Sequence, residues 1–167
     1  TRQDFAETLV WQPVLVTSSD GRATVDFALS DAVAPYQVLI AGHTLDGRIG
    51  AATSLIEVRK PFAIDPKLPP EVSSTDILDM PVLLTNATEG PLLAQVTVEP
   101  GQFTLVEQSA ERSRVVNGNS GSREIVRLSP RQPRGELAIH LTGVAGLGVE
   151  DRIRRSVRVV PDGFPYQ

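Results

Sequence analysis

Two histidines, a glycine-rich run and a row of arginines are the residues of this chain whose types and spacing could do chemistry. His43 and His140 are the only histidines. A zinc centre takes three or four ligands from His, Cys and carboxylates, and His43 has no nearby acid at ligand spacing. His140 falls on the polar face of an alternating segment with Glu136 and Thr142. Both histidines therefore read as structural or solvated. No Gly-x-Ser-x-Gly elbow accompanies them, so a serine nucleophile has no local signature. The run Gly143-Val144-Ala145-Gly146-Leu147-Gly148 could cradle phosphate only with the G-x-G-x-x-G spacing and a following helix. Its spacing differs and a strand pattern follows it, so a long hairpin loop is expected. Arg152, Arg154 and Arg158 share one face of the last alternating segment, opposite Ile153, Val157 and Val159. Such a stripe could meet a polyanion, or it could be a charged edge strand that resists pairing with other chains. Asn86-Ala87-Thr88 is a formal glycosylation sequon in a turn. No Asp/Asn/Glu spacing forms a calcium loop. The expectation is no catalytic residue, no metal site, no cofactor and no enzyme.

Composition narrows the partners. The formal net charge is −4, whereas phosphate backbones need a cationic surface, so nucleic acid is not expected. Cysteine is absent, which removes disulfides, thiol catalysis and thiolate metal sites. No apolar run approaches the ~18–20 residues that cross a bilayer as a helix. The 13 glycines and 13 prolines punctuate short runs of Val, Ile, Leu and Thr, the pattern of strands joined by turns.

The elements that must position these residues are strands. Ala23, Val25, Phe27 and Leu29 alternate with Thr24, Asp26 and Ser30, the period-two mark of a strand covering a core on one side. Asp20-Gly21 and Asp46-Gly47 are hairpin turns by composition, so residues 8–58 read as roughly four antiparallel strands. Trp11 is expected to anchor that core. Pro61 breaks the last of these strands, since proline cannot donate to a central ladder. Beyond it, alternation over 78–85, 94–99, 103–106, 124–128, 137–142 and 153–160 gives about seven strands in ~100 residues, an immunoglobulin-like sandwich. Residues 1–60 hold too few strands to close two sheets. The expected fold is all-β, with antiparallel sandwiches of immunoglobulin or fibronectin-III type: an incomplete domain over 1–60 and a complete one over 61–167.

The ordered landmarks resemble the alpha-2-macroglobulin and complement family. Asp4-Phe5-Ala6-Glu7-Thr8 with Trp11-Gln12-Pro13 is similar to the family's Phe-Pro-Glu-Thr/Ser, Trp, Asn/Asp-Pro signature after the bait region. Asp20-Gly21-Arg22-Ala23, Leu29-Ser30-Asp31, Gly47-Arg48-Ile49-Gly50 and Arg59-Lys60-Pro61-Phe62 follow in the family's order, as do Leu68-Pro69, Asp76, Leu84-Thr85-Asn86 and Val159-Val160-Pro161-Asp162-Gly163. Ala6 stands where the family has Pro, Ser30 where it has Pro, Tyr36 where it has Trp, and Thr75 where it has Gly. Without cysteine, the chain resembles the bacterial branch more than the vertebrate one.

The resemblance implies macroglobulin-like domains, the first split by a bait-region insertion lying before Thr1, and a Cys-Gly-Glu-Gln thioester, in members that have one, after Gln167. It implies a scaffold fragment of a broad-spectrum endopeptidase inhibitor, extracellular or periplasmic, whose partners are proteases reached through the parent protein and neighbouring macroglobulin-like domains. The alternative is a tandem of immunoglobulin-like modules from a bacterial adhesin or carbohydrate-binding surface protein, for which exposed aromatic faces would be needed. The open half-domain is also expected to self-associate, because bare edges and apolar faces seek partners.

Overall fold

The computed structural model describes residues 1–106 and 109–163. The chain divides into two units: Asp4–Val58, and a larger one made of Thr1–Gln3 with the chain from Arg59 onward. Among the described residues, regular structure is β throughout apart from one 3-10 turn, Gly146–Gly148.

The smaller unit has a single hairpin, β1 (Tyr36–His43) and β2 (Ile49–Ile56), paired antiparallel from Tyr36↔Ile56 to His43↔Ile49. The Asp46-Gly47 turn closes it, with Gly47 at φ +86° and the Gly47 amide donating to the Thr44 carbonyl at 3.0 Å. Asp20-Gly21 also turns as its composition requires, with Gly21 at φ +77°. The runs flanking it do not form a ladder, so two strands stand where about four are expected from the alternation. The cause is visible in their burial. Val14 is 72% exposed, Val16 85% and Trp11 81%. An alternating segment settles into a strand when its apolar face has a surface to cover, and among the described residues of this unit none is supplied. Trp11 is therefore a surface residue, contrary to its expected role as a core anchor.

Among its described residues the larger unit is a sandwich of nine strands: β3 (Phe62–Pro66), β4 (Glu71–Ser73), β5 (Leu78–Asn86), β6 (Leu92–Glu99), β7 (Phe103–Leu105), β8 (Glu111–Val116), β9 (Ser120–Pro130), β10 (Gly135–Ala145) and β11 (Val149–Val160). One sheet runs β4-β11-β10-β6-β8 and the other β3-β5-β9-β7. Between the named strands all pairings are antiparallel except β4 on β11, which runs parallel from Arg158↔Glu71 to Val160↔Ser73. Met80, Val82 and Leu84 of β5 in one sheet, and Leu137, Ile139 and Leu141 of β10 in the other, are each buried to 1% exposure or less. Burying one such side chain stabilises by ~1.5–3 kcal/mol, so the core holds the sheets without disulfides.

Two expectations about this unit change in detail. The glycine-rich run is no long loop: Gly143 lies inside β10 and three residues turn the chain into β11. Gly143 is there for space, because a Cβ would stand 2.7 Å from Ile64 Cγ2 and 2.9 Å from Phe62 Cε1. Strand β11 is second in its sheet, with β4 beside its C-terminal end, so the arginine stripe does not mark a wholly free edge.

A buried carboxylate that gathers two cations

Inward-facing positions of β11 alternate as Asp151, Ile153, Arg155, Val157 and Val159, and Asp151 is 0% exposed. A carboxylate in that position costs several kcal/mol unless it is paired and hydrogen-bonded. Asp151 is saturated. Arg2 donates through Nε to Oδ1 at 2.9 Å and through Nη2 to Oδ2 at 2.6 Å. Lys60 Nζ donates to Oδ1 at 2.5 Å, and the Ile64 amide donates to Oδ2 at 2.9 Å. Burial pushes the Asp151 carboxyl up, but the hydrogen bonds from Arg2, Lys60 and the Ile64 amide outweigh it and hold the group below its ordinary value. Asp151 is thus an anion in the folded protein.

The two cations arrive from distant parts of the chain. Arg2 forms a parallel bridge with Ile153: its amide donates to the Arg152 carbonyl at 2.7 Å, and its carbonyl accepts from the Arg154 amide at 2.9 Å. Its guanidinium also donates to the Ile64 carbonyl on β3. Beside it, Arg155 Nη2 lies 3.6 Å from Asp65 Oδ1. A polar seam therefore joins β3 of one sheet to β11 of the other along one flank of the sandwich.

A second constellation closes the opposite chemistry. Asn86 is 0% exposed, its Nδ2 donating to the carbonyls of Gly90, Val116 and Asn117 at 2.8, 3.0 and 3.1 Å. Its Oδ1 accepts from the Thr88 amide at 2.9 Å and from Thr88 Oγ1 at 2.7 Å. The sequon is consequently a buried pin between the β5–β6 and β8–β9 turns, and no sugar reaches that nitrogen in the folded chain.

The family landmarks meet in pairs. The Asp4 amide donates to Asp31 Oδ2 at 3.0 Å, and the Asp31 amide to the Asp4 carbonyl at 2.7 Å. Ser30 Oγ donates to the Ala6 carbonyl at 3.2 Å and shares a 2.6 Å hydrogen bond with the Tyr36 hydroxyl. Ala6, Ser30 and Tyr36, three departures from the family pattern, are thus linked to one another. Thr75, a fourth departure, donates through Oγ1 to Asp162 Oδ2 at 3.1 Å.

The histidines and stripe arginines singled out for chemistry are exposed. His43 is exposed at the β1–β2 hairpin end, its Nδ1 3.4 Å from the Thr44 carbonyl. His140 is exposed on the outer face of the five-stranded sheet, in register with Arg154 and Glu99. Arg152 donates to Glu150 at 2.7 Å and Arg158 lies 3.7 Å from Glu71, so acids partner two members of the stripe. Among the described residues no three His, Asp or Glu side chains gather to hold a metal ion, and no helix is long and apolar enough to cross a membrane. Sequence reasoning missed Asp151 and Arg155. Their signal is an acid and a base on the apolar face of an alternating strand, where each must find a partner.

The family described as Alpha-2-macroglobulin family matches residues 8–98. The alpha-2-macroglobulin of Thermotoga maritima is 30% identical over 124 residues, which is 74% of this chain and 8% of that protein. Among solved structures, trypsin-activated alpha-2-macroglobulin from Escherichia coli superposes with a TM-score of 0.72 at 19% identity, over 86% of this chain and 10% of that one. Salmonella alpha-2-macroglobulin reacted with methylamine gives a TM-score of 0.59 at 18% identity, over 86% of this chain and 10% of that one. The chain therefore spans less than a tenth of the curated relative's length, and the structural likeness is one of fold.

Proposed function

The chain belongs to the alpha-2-macroglobulin family, and from that membership we propose that it is a non-catalytic scaffold segment of a bacterial protease-trapping macroglobulin. The observation that carries this is the span of the family match, residues 8–98, which runs from the smaller unit through β6 of the larger one. Two unrelated modules in tandem would not share one match. In this proposal residues 1–60 are the later part of a macroglobulin-like domain split by a bait insertion, and residues 61–167 are a complete one. The parent protein is extracellular or periplasmic, and its targets are proteases. The chain's own partners are neighbouring macroglobulin-like domains. The test is direct: the isolated chain, at excess over trypsin or elastase, leaves cleavage of a small chromogenic substrate unchanged. Inhibition by the chain alone, or hydrolysis of any substrate by it, contradicts a passive scaffold.

One observation favours a second function. Trp11 is 81% exposed, and an exposed indole is the kind of face on which sugars stack. A glycan array probed with the chain and with Trp11→Ala decides it. Binding that is lost in the variant supports a carbohydrate-binding surface protein, and a blank array removes that function.

A further inference from the structure

We propose that Asn117 is a modification site, a point of spontaneous deamidation whose isoaspartate product undoes the pin between the β5–β6 and β8–β9 turns. The chain has three asparagines, Asn86, Asn117 and Asn119, and the fold sets them in unlike surroundings. Deamidation starts when the amide nitrogen of the next residue attacks the asparagine Cγ, so it needs an accessible asparagine and an unshielded neighbour. Asn117 has both. It is exposed, Gly118 has no Cβ to cover its own nitrogen, and among the described residues the Gly118 amide donates to no backbone carbonyl. Asn119 is also exposed, but Ser120 follows it, carries a side chain and lies in the β5–β9 ladder opposite Asn86. Asn86 is fully buried, with its amide nitrogen and oxygen both engaged. Packing also keeps the labile pair in place. A Cβ on residue 118 would stand 1.9 Å from the Glu89 carbonyl oxygen and 2.9 Å from that of Thr88, a close backbone approach that only glycine allows. The side chain that would slow the attack therefore has no room.

The chemistry needs only water. The Gly118 nitrogen gives its proton to solvent base and bonds to Asn117 Cγ, the Cγ–Nδ2 bond breaks, and ammonia leaves a succinimide ring. Water then adds to one of the two ring carbonyls and the bond from that carbon to the Gly118 nitrogen breaks. Addition at Cγ gives aspartate. Addition at the backbone carbonyl gives isoaspartate, in which the chain runs through Cβ and Cγ and the former carbonyl is a free carboxylate. The isoaspartate does not fit this turn. It lengthens the backbone by one methylene where both sides are tied: Asn86 Nδ2 donates to the Asn117 carbonyl at 3.1 Å, and the Asn119 amide to the Thr88 carbonyl at 2.8 Å. With residue 118 already packed against Glu89, the added atom pushes the β8–β9 turn off the β5–β6 turn.

Ageing the full, folded chain at mildly alkaline pH tests this. Peptide mapping by mass spectrometry should find Asn117 converted at least about tenfold faster than Asn119, a barrier difference of about 1.4 kcal/mol, and Asn86 intact. Ammonia release should follow the same time course and lose most of its amount in Asn117→Gln, whose longer side chain closes a ring far more slowly. Isomerisation at Asp20-Gly21 or Asp46-Gly47 releases no ammonia and does not enter this readout. The separated isoaspartate form should unfold at lower urea than Asn117→Asp, which carries the same added charge on a backbone of ordinary length. Conversion of Asn117 no faster than that of Asn119, or ammonia release unchanged in Asn117→Gln, overturns the site. An isoaspartate form whose urea midpoint equals that of Asn117→Asp overturns the loss of the pin.

Discussion

Replacing Asp151 by alanine removes the acceptor of four hydrogen bonds at a fully buried position. Each charge-assisted bond contributes ~1.5–3 kcal/mol, but all four share one carboxylate and their losses do not add. The carboxylate's own desolvation cost is also relieved. What remains is two cations that lose their counter-ion: Arg2, with 12% of its side chain exposed, and Lys60, with 31%. Lys60 can swing toward water, whereas Arg2 is pinned by its backbone bridge, so most of the penalty falls on Arg2. Breaking a buried pair by removing one partner costs about 3–5 kcal/mol. For a unit of roughly 110 residues that lowers Tm by about 10–20 °C. Urea unfolding should be followed by NMR signals of Met80 and Ile139, because Trp11 lies in the smaller unit and its fluorescence does not report on this core. The triple variant Asp151→Leu, Arg2→Met, Lys60→Met is the control: with no charge left to bury, it should lie within about 1–2 kcal/mol of wild type or above it. A loss below about 0.5 kcal/mol in Asp151→Ala, the range of an ordinary surface change, would refute the argument that this carboxylate holds the seam.

Acid should act through the same group. The folded-state pKa of Asp151 is depressed, so its contribution is present above the ordinary carboxylate range and is lost as pH falls through the folded value. Urea midpoints of the larger unit should therefore hold steady down to about pH 4 and drop below it, with a shallower drop in Asp151→Ala. Asn86→Ala should destabilise the larger unit by ~1–3 kcal/mol, since it orphans the buried Val116 carbonyl and removes the part-buried bond to Asn117 at the usual cost of unmade bonds; equilibrium unfolding measures it. Gly143→Ala should cost about 1–3 kcal/mol through overpacking against Phe62 and Ile64, read by the same assay. Light scattering over a concentration series should show association through the smaller unit, where Leu39, Ile40, Ile49 and Leu55 are 62–87% exposed; a strictly monomeric chain at high concentration counts against residues 1–60 being an open half-domain.

Much of the larger unit is legible in its sequence because alternation there coincides with burial. The period of Met80, Val82 and Leu84, or of Leu137, Ile139 and Leu141, places each side chain correctly. Short strands such as β4 and β8 escape, since Glu71–Ser73 and Glu111–Val116 carry too few apolar residues to alternate. In the smaller unit the same pattern over 23–29 overstates the order, because a strand needs a second surface that the local sequence does not encode. Chemistry was the less legible part. The histidines and the arginine stripe attract attention by type, yet His43, His140, Arg152, Arg154 and Arg158 are all exposed. Asp151 is an ordinary acid by type, and only its place in the period of β11 shows that it must be paired. Its partners, Arg2 and Lys60, are 149 and 91 residues away, so no spacing rule identifies them.

The proposed role of this chain is that of passive scaffold within a protease trap. The most direct measurement is size-exclusion chromatography of the longer protein that carries it after incubation with trypsin, with the isolated chain run in parallel. The account predicts that proteolytic activity moves to the elution volume of the longer protein, while the isolated chain leaves trypsin at its own volume. Trypsin that cuts the longer protein and still elutes free, or trypsin retained by the isolated chain, would contradict it.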